Sequence, residues 1–414
     1  MLLEKYSIGI GDRFGKQAKA QLKALIEAKN MGIPVVPVWN KSYREHKIVH
    51  SSPVFTRTAA DRAVKSLGWN DSYYVDADHI GMQNVDLFIN SSNFFTIDVA
   101  EFIGKGIDSI EVEKFVKKYQ KYIGDVEIPG IDSPIIISNE LMTTSAHKYL
   151  PAVKEAGNIY CHIQDLKGEE SFITEISMDE TDEPQSPTEM LLILAAISEE
   201  EIPVQTIAPK FTGRFNKGVD YEGNPEKFAG EFEQDILIIN YAINNLNLPK
   251  NLKLSVHSGS DKFSLYPEIN KLINKYDVGI HLKTAGTTWL EEMIGLASGG
   301  GSGLKISKRI YAGAFNRFQE LCMPYSTVID IDRANLPRPV EVDHWESEIF
   351  VQNLRHNQKC ELFNPDFRQL LHVGYKIAAE LGHEYLEALD EFESIIAENV
   401  IKNILNRHIL PIFG

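Results

Sequence analysis

Leu252-Lys253-Leu254-Ser255-Val256-His257-Ser258-Gly259-Ser260-Asp261-Lys262 and, one helical segment later, Val278-Gly279-Ile280-His281-Leu282-Lys283-Thr284-Ala285-Gly286-Thr287 share one design. In each, a short hydrophobic run carries a histidine and then a lysine to its C-terminal end. The first run breaks into Ser-Gly-Ser straight after its histidine. A short apolar run bounded by turn residues reads as a buried strand. Two such runs with a helix between them read as a strand–helix–strand unit of a parallel sheet. The C-terminal ends of the strands are where a (β/α) barrel keeps its chemistry. A lone histidine at a strand end is more often structural. Two of them at corresponding strand ends point to a site, because imidazole is both a common metal ligand and an acid–base group.

The same alternation runs outward along the chain. Residues 6–10 form a first strand, followed by a helix with Ala18, Leu22, Leu25 and Ile26 at helical spacing and Gly32 as its stop. Further strands are expected near residues 36, 75, 96, 174, 206, 255 and 280, each apolar throughout, as strands covered on both faces are. With the strand near residue 8, the count is about eight, the number that a closed (β/α)₈ barrel needs. Residues 40–55 read as irregular. Ser186-Pro187-Thr188-Glu189 reads as a helix start. A doubly wound open sheet is the alternative, but it wants a Gly-rich fingerprint that Gly9-Ile10-Gly11 and Gly15 imitate only loosely. The expected fold class is therefore α/β, a (β/α)₈ TIM-like barrel with an insertion and a C-terminal helical extension. Residues 1–303 would be the catalytic barrel, interrupted at about 106–168, and residues 304–414 helices packed upon it. A helix over about 140–165 falls in the insertion, with Pro151 placed to kink it. Gly299-Gly300-Gly301-Ser302-Gly303 follows no strand and reads as a linker between helices, not a phosphate cradle.

The 414 residues are 43% hydrophobic and 24% charged, an ordinary balance for a globular protein with a large core. That exceeds the roughly 250 residues of a minimal barrel, which requires the additions just named. A formal charge of -16 without any basic run argues against a nucleic-acid partner. Cys161, Cys322 and Cys360 are far apart and lack CxxC spacing, so neither a disulfide framework nor a zinc ribbon is indicated. No membrane span and no signal-peptide core are recognisable, which makes the cytoplasm the expected location.

In a barrel the strand ends converge. They would gather Asp12, Arg13, Asn40, Lys41, Asp76, Asp78, His79, Asp98, Glu175, Lys210, Arg214, His257, Lys262, His281 and Lys283 at one mouth. Burying that many charges costs several kcal/mol each unless they pair or bind a metal. His79, His257 and His281, on separate strands, suit one divalent cation with positions left open; N/O ligation fits Zn, Mn, Co or Ni. Asp78 and Glu175 are the acid–base candidates, with a histidine-holding role as the alternative for Glu175. Lys210, Arg214 and Lys283 would hold an anionic group of the substrate. Trp39 and Trp289 are expected in the core.

Lys253 to Phe263, His281-Leu282-Lys283-Thr284-Ala285-Gly286-Thr287, Asp76-Ala77-Asp78-His79-Ile80 and Lys210-Phe211-Thr212-Gly213-Arg214-Phe215-Asn216-Lys217-Gly218 resemble segments of the tagaturonate epimerase family. The resemblance implies an isomerase of hexuronate catabolism that interconverts D-tagaturonate and D-fructuronate with the help of a divalent metal. It implies a small anionic sugar acid as partner, while the charge balance and the want of a long apolar run point to no nucleic acid and no membrane. The two ketouronates differ at a carbon β to the ketone, whose C–H simple enolisation does not activate. Retro-aldol cleavage with re-addition, or direct deprotonation and reprotonation by two opposed groups, would both serve. A metal-dependent epimerase or isomerase of neutral ketoses shares every feature except the carboxylate clamp. A non-catalytic sugar-acid sensor would add a DNA-binding or membrane segment, and none is recognisable.

Overall fold

Eight parallel strands hydrogen-bond into a closed ring. The structure is a computed structural model that describes residues 1–168, 171–181, 183–284 and 286–414; Ala285, near the end of the second quoted run, lies outside the described residues. In chain order the strands are β1 (Tyr6–Gly11), β2 (Val36–Ser42), β3 (Tyr74–Ile80) and β4 (Phe94–Asp98), then a small antiparallel pair, β5 (Gly124–Val126) and β6 (Ile135–Ile137). β7 (Ile173–Ser177), β8 (Thr206–Ala208), β9 (Lys253–His257) and β10 (Ile280–Lys283) complete the barrel, whose order around the ring is β1-β10-β9-β8-β7-β4-β3-β2. The expected (β/α)₈ barrel is thus the fold, with a strand at each anticipated place.

The strands are buried on both sides, but the two sides differ in chemistry. Outward residues such as Ile8, Ile10, Val75, Phe95, Ile97, Ile176, Leu254, Val256, Ile280 and Leu282 join one large apolar cluster with the surrounding helices. Inside, Leu3, Val36, Val38, Tyr74, Phe94 and Ile173 form a small apolar floor. Above that floor the inward positions are polar: Asp76, Thr96, Glu175, Thr206, His281 and Lys283 are all buried. The reading of strands apolar throughout therefore needs correction. Strand side chains alternate between faces, and above the apolar floor the ones that point into the barrel are polar. Gly9 on β1 leaves the room this requires, since a Cβ there would stand 2.7 Å from Lys283 Cγ.

The helices follow from local signals. Ser186 and Glu189 form a capping box at the start of helix Pro187–Glu199, as Ser-Pro-Thr-Glu foretells. The same device, Ser42 with Glu45, starts a short helix Tyr43–Ile48 where an irregular stretch was expected. Between β4 and β7 the chain makes helix Ser109–Tyr119, the β5–β6 hairpin and the long helix Asn139–Lys167, which contains Pro151. After β10, helix Thr287–Ser298 is buried along almost its whole length, packed against helices Gly301–Asn316 and Glu393–Lys402. Gly299 and Gly300 make the bend between the first two, so the glycine run is a helix-to-helix turn. Trp39 and Trp289 are core residues, each donating its indole N–H inside the fold, to Gln21 Oε1 and Leu371 O.

Candidate active site

At the C-terminal end of the barrel a cavity of about 940 Å³ opens to solvent, lined by strand-end residues and by the segment 325–328 and His372 of the C-terminal helices. Asp78, His79, Asp98, Asp179, His257 and Lys283 lie on its walls. This is where the fold concentrates its titratable groups.

Three of those groups meet. One ligand atom each from His79, Asp179 and His257 lies within 4.8 Å of the others. His79 reaches this position through a break in β3: the pairing with β4 shifts register between Ala77 and Ile80, and His79 adopts φ of 52°. A positive φ is uncommon for a residue with a side chain, and such outliers cluster at functional sites. A bulge next to an active site re-aims a side chain, and here it turns the imidazole towards Asp179. Asp179 stands two residues beyond β7, and its Oδ1 accepts a hydrogen bond from Ser177.

Both histidines are arranged alike. His79 pairs Nδ1 with Asp78 Oδ1 at 2.9 Å and sets Nε2 3.4 Å from Asp179 Oδ1. His257 pairs Nε2 with Glu175 Oε1 at 2.8 Å and sets Nδ1 3.2 Å from Asp179 Oδ2, and among the described residues that buried nitrogen makes no hydrogen bond. A histidine that gives one ring nitrogen to a carboxylate and leaves the other free is the usual form of a metal-ligating imidazole. Burial alone would discharge His79, but Asp78 and Asp179 hold its pKa well above the ordinary imidazole range; His257 is raised in the same way, chiefly by Asp179. Asp179 is held well below the usual carboxylate range by His257 and His79, in spite of burial. Sites that favour protonated imidazole in this way favour positive charge. A divalent ion supplies that charge by displacing the protons, so the three residues fit a metal.

Lys283 ties the carboxylates together. Its ammonium lies 2.9 Å from Asp76, 2.8 Å from Asp78 and 3.1 Å from Glu175, and it also donates to Thr96 Oγ1. Burial and three acidic partners compete for it, and the partners win: its pKa stands well above the ordinary lysine value. Glu175 is correspondingly ionised, pulled down by Lys283 and His257 against burial, whereas desolvation carries Asp76 up to about 6.

The residues singled out from sequence divide accordingly. His79 and His257 come together, but His281 does not join them. It sits opposite Ser255, whereas Lys283 sits opposite His257, so His281 lies two residues, or about 6–7 Å, deeper in the barrel. There its Nδ1 meets Ser7 Oγ at 2.9 Å, and burial lowers its pKa to about 3. The third ligand candidate is the acidic residue Asp179, which the focus on histidines passed over although it follows a strand end as they do. Lys283 faces three carboxylates and is not free to clamp a substrate anion. Glu175 is fully buried and absent from the cavity wall, and its carboxylate is taken up by His257, Lys283, Thr96 and Thr206. Asp78 does line the cavity; its Oδ1 serves His79 and Lys283, and among the described residues its Oδ2 has no hydrogen-bond donor. Asp98 lines it too, with Oδ1 capping Ala100 N at 3.0 Å and a pKa raised by burial. Lys210 is on the wall, and Arg214 is half exposed at the rim, paired with Asp330 at 2.7 Å.

Comparison with known proteins gives the same direction as the geometry. Residues 1–410 match the tagaturonate epimerase family. A tagaturonate/fructuronate epimerase of Thermotoga maritima is 26% identical over 421 residues, covering 97% of this chain and 80% of the relative. Among solved structures, the native fructuronate-tagaturonate epimerase of Cohnella laeviribosi superposes with a TM-score of 0.80 at 22% identity, over 100% of this chain and 82% of that one. Its glycerol complex gives a TM-score of 0.78 at 22% identity, over 98% and 82%. At that identity the two structures speak for the fold.

Proposed function

The chain belongs to the tagaturonate epimerase family, and from that premise we propose how its barrel interconverts D-tagaturonate and D-fructuronate. The observation that carries the reading is the convergence of His79 and His257, each backed by its own carboxylate, on Asp179. These three residues would hold one divalent cation of the Zn, Mn, Co or Ni class. Such an ion supplies a Lewis acid that polarises the ketone and offsets negative charge. Asp78 orients His79, and Glu175 and Lys283 orient His257, so that the ligand nitrogens are set before substrate arrives.

Proton transfer falls to the carboxylates that reach the cavity. Asp78, through Oδ2, and Asp98 would take the proton from the hydroxyl on the inverting carbon and return one after the configuration has changed. Two groups are needed because the hydroxyl points to opposite sides in substrate and product. In the cleavage–re-addition route the two groups would exchange this hydroxyl proton, whereas in the direct route they would exchange the C–H proton of the same carbon from its opposite faces. Glu175, with no access to the cavity, is assigned the role of holding His257. Lys210 and Arg214 at the rim draw a dianion-free, singly charged sugar acid towards the mouth of a protein whose net charge is -16.

The test is to incubate the purified protein with D-tagaturonate, with and without EDTA, and follow D-fructuronate. Conversion that EDTA abolishes and a divalent ion restores is the expected result. Full conversion by a thoroughly chelated preparation would contradict the metal reading, and no conversion under any metal would contradict the function.

A further inference from the structure

We propose that Lys217 seats the carboxylate end of the sugar acid and thereby sets the preference for a uronate over a neutral ketose; this rests on the epimerase reading of the mouth given above. The cations of the cavity wall differ in what they already hold. Lys283 is shared by three carboxylates, Arg214 is paired with Asp330, and Arg13 is paired with Glu45 at 3.0 Å while its guanidinium lies 3.9 Å from the centre of the Tyr375 ring. Lys210 and Lys217 are on the same wall and partly buried, and among the described residues neither ammonium has an ion pair or a hydrogen bond; of the two, Lys217 stands beside Gly259 in the loop after His257. Burial and the neighbouring Arg44 push its pKa down, the direction that a bare ammonium takes when it lacks a counter-ion.

Its position is fixed relative to the proposed cation site. Lys217 Nζ lies 3.7 Å from where a Cβ on Gly259 would stand, and Gly259 is two residues past His257 in a left-handed turn at φ of 64°. The backbone around Lys217 is held at three consecutive residues. Asn216 O accepts from the buried Lys262 Nζ at 3.0 Å, Lys217 N donates to Val328 O at 2.7 Å, and Gly218 N donates to Ser260 Oγ at 2.9 Å. Lys262 and Ser260 belong to the loop that follows His257. One loop therefore sets both a ligand histidine and the segment bearing the free ammonium, which keeps the two ends of the site at a constant separation. A ketouronate carries its ketone and its carboxylate towards opposite ends of the chain, and this two-ended arrangement matches it. The segment around Lys262, read from sequence as part of the catalytic mouth, thus acts by positioning Lys217.

A charge-assisted contact of this kind contributes roughly ten- to a hundredfold in kcat/KM. The experiment measures KM and kcat for D-tagaturonate, and the competitive Ki of D-tagatose, on the metal-loaded wild type, Lys217→Met and Lys217→Arg. Lys217→Met should raise the tagaturonate KM by that factor and leave the tagatose Ki within about threefold, with metal content unchanged; Lys217→Arg should recover most of the loss. An unchanged tagaturonate KM in Lys217→Met overturns the proposal, and so does a loss of tagatose binding as large as the rise in KM. Loss of bound metal in Lys217→Met overturns it as well, by making the residue structural. A wild type inactive on tagaturonate is a different failure, that of the epimerase reading itself.

Discussion

A carboxylate without solvent exposure stays ionised only where cations and donors replace its water, and Glu175 has both His257 and Lys283 within 3.1 Å. Its charge is thereby spent on fixing an imidazole, whereas Asp98 lines the cavity. The two should respond differently to neutralisation. Glu175→Gln should weaken metal affinity by roughly 10–100-fold. Asp98→Asn should keep its metal and lose roughly 10²–10⁴ in kcat, the usual cost of a lost proton-transfer group. Metal titration and turnover on both variants separate these effects, and metal loss in Asp98→Asn would make that residue a ligand. At this scale the sequence was only partly legible. His257 and His281 look equivalent as strand-end histidines, and only the register, which pairs His257 with Lys283, shows that they lie at different depths. Asp179 gives no local signal beyond following a strand, and the cross-barrel partners of Lys283 come from three other strands.

Strand β9 links the floor of the barrel to its mouth. Its first residue, Lys253, is buried, with Nζ donating to the carbonyls of Leu3 and Glu4, and its last is the ligand candidate His257. Burial lowers the Lys253 pKa to about 7, against about 10.4 in an unfolded chain. Between those values the unfolded chain binds more protons than the folded one, so this residue makes stability rise with pH, at up to about 1.4 kcal/mol per unit. Below about pH 7 both states are protonated and the dependence vanishes. Lys253→Met should lack the rise. Urea unfolding of both proteins at pH 7 and pH 9 should show the wild type gaining on the variant, and parallel stabilities would refute the assignment. Elements were the most legible level, because apolar runs between turn residues mark strands irrespective of tertiary context. The exceptions have physical causes: the capping box at Ser42 made a helix from a stretch that lacks periodicity, and the inward polar residues are hidden in runs that are short and mostly apolar.

Across the whole molecule, the helices after β10 complete the mouth and are joined to the barrel by buried charge. Asp261, four residues past His257, lies 2.8 Å from Arg368 and 3.1 Å from His356, all three buried, and accepts from Thr287. We expect barrel and helices to unfold together for that reason. Asp261→Asn strands the Arg368 guanidinium and should cost about 3–5 kcal/mol. Denaturation followed by circular dichroism should show one transition at lower denaturant, and two separate transitions would mean that the helices fold independently. The closed barrel itself could be read from the chain as a count of strands; which side chains meet inside it could not, since that depends on register around a ring. The most direct measurement is therefore the metal content and tagaturonate turnover of wild type, Asp179→Ala and His281→Gln after reconstitution with one divalent metal. The expected result is about one ion per chain in the wild type, loss of ion and turnover in Asp179→Ala, and retention of the ion in His281→Gln. An Asp179→Ala protein that keeps its ion while His281→Gln loses it would contradict the cation site described here.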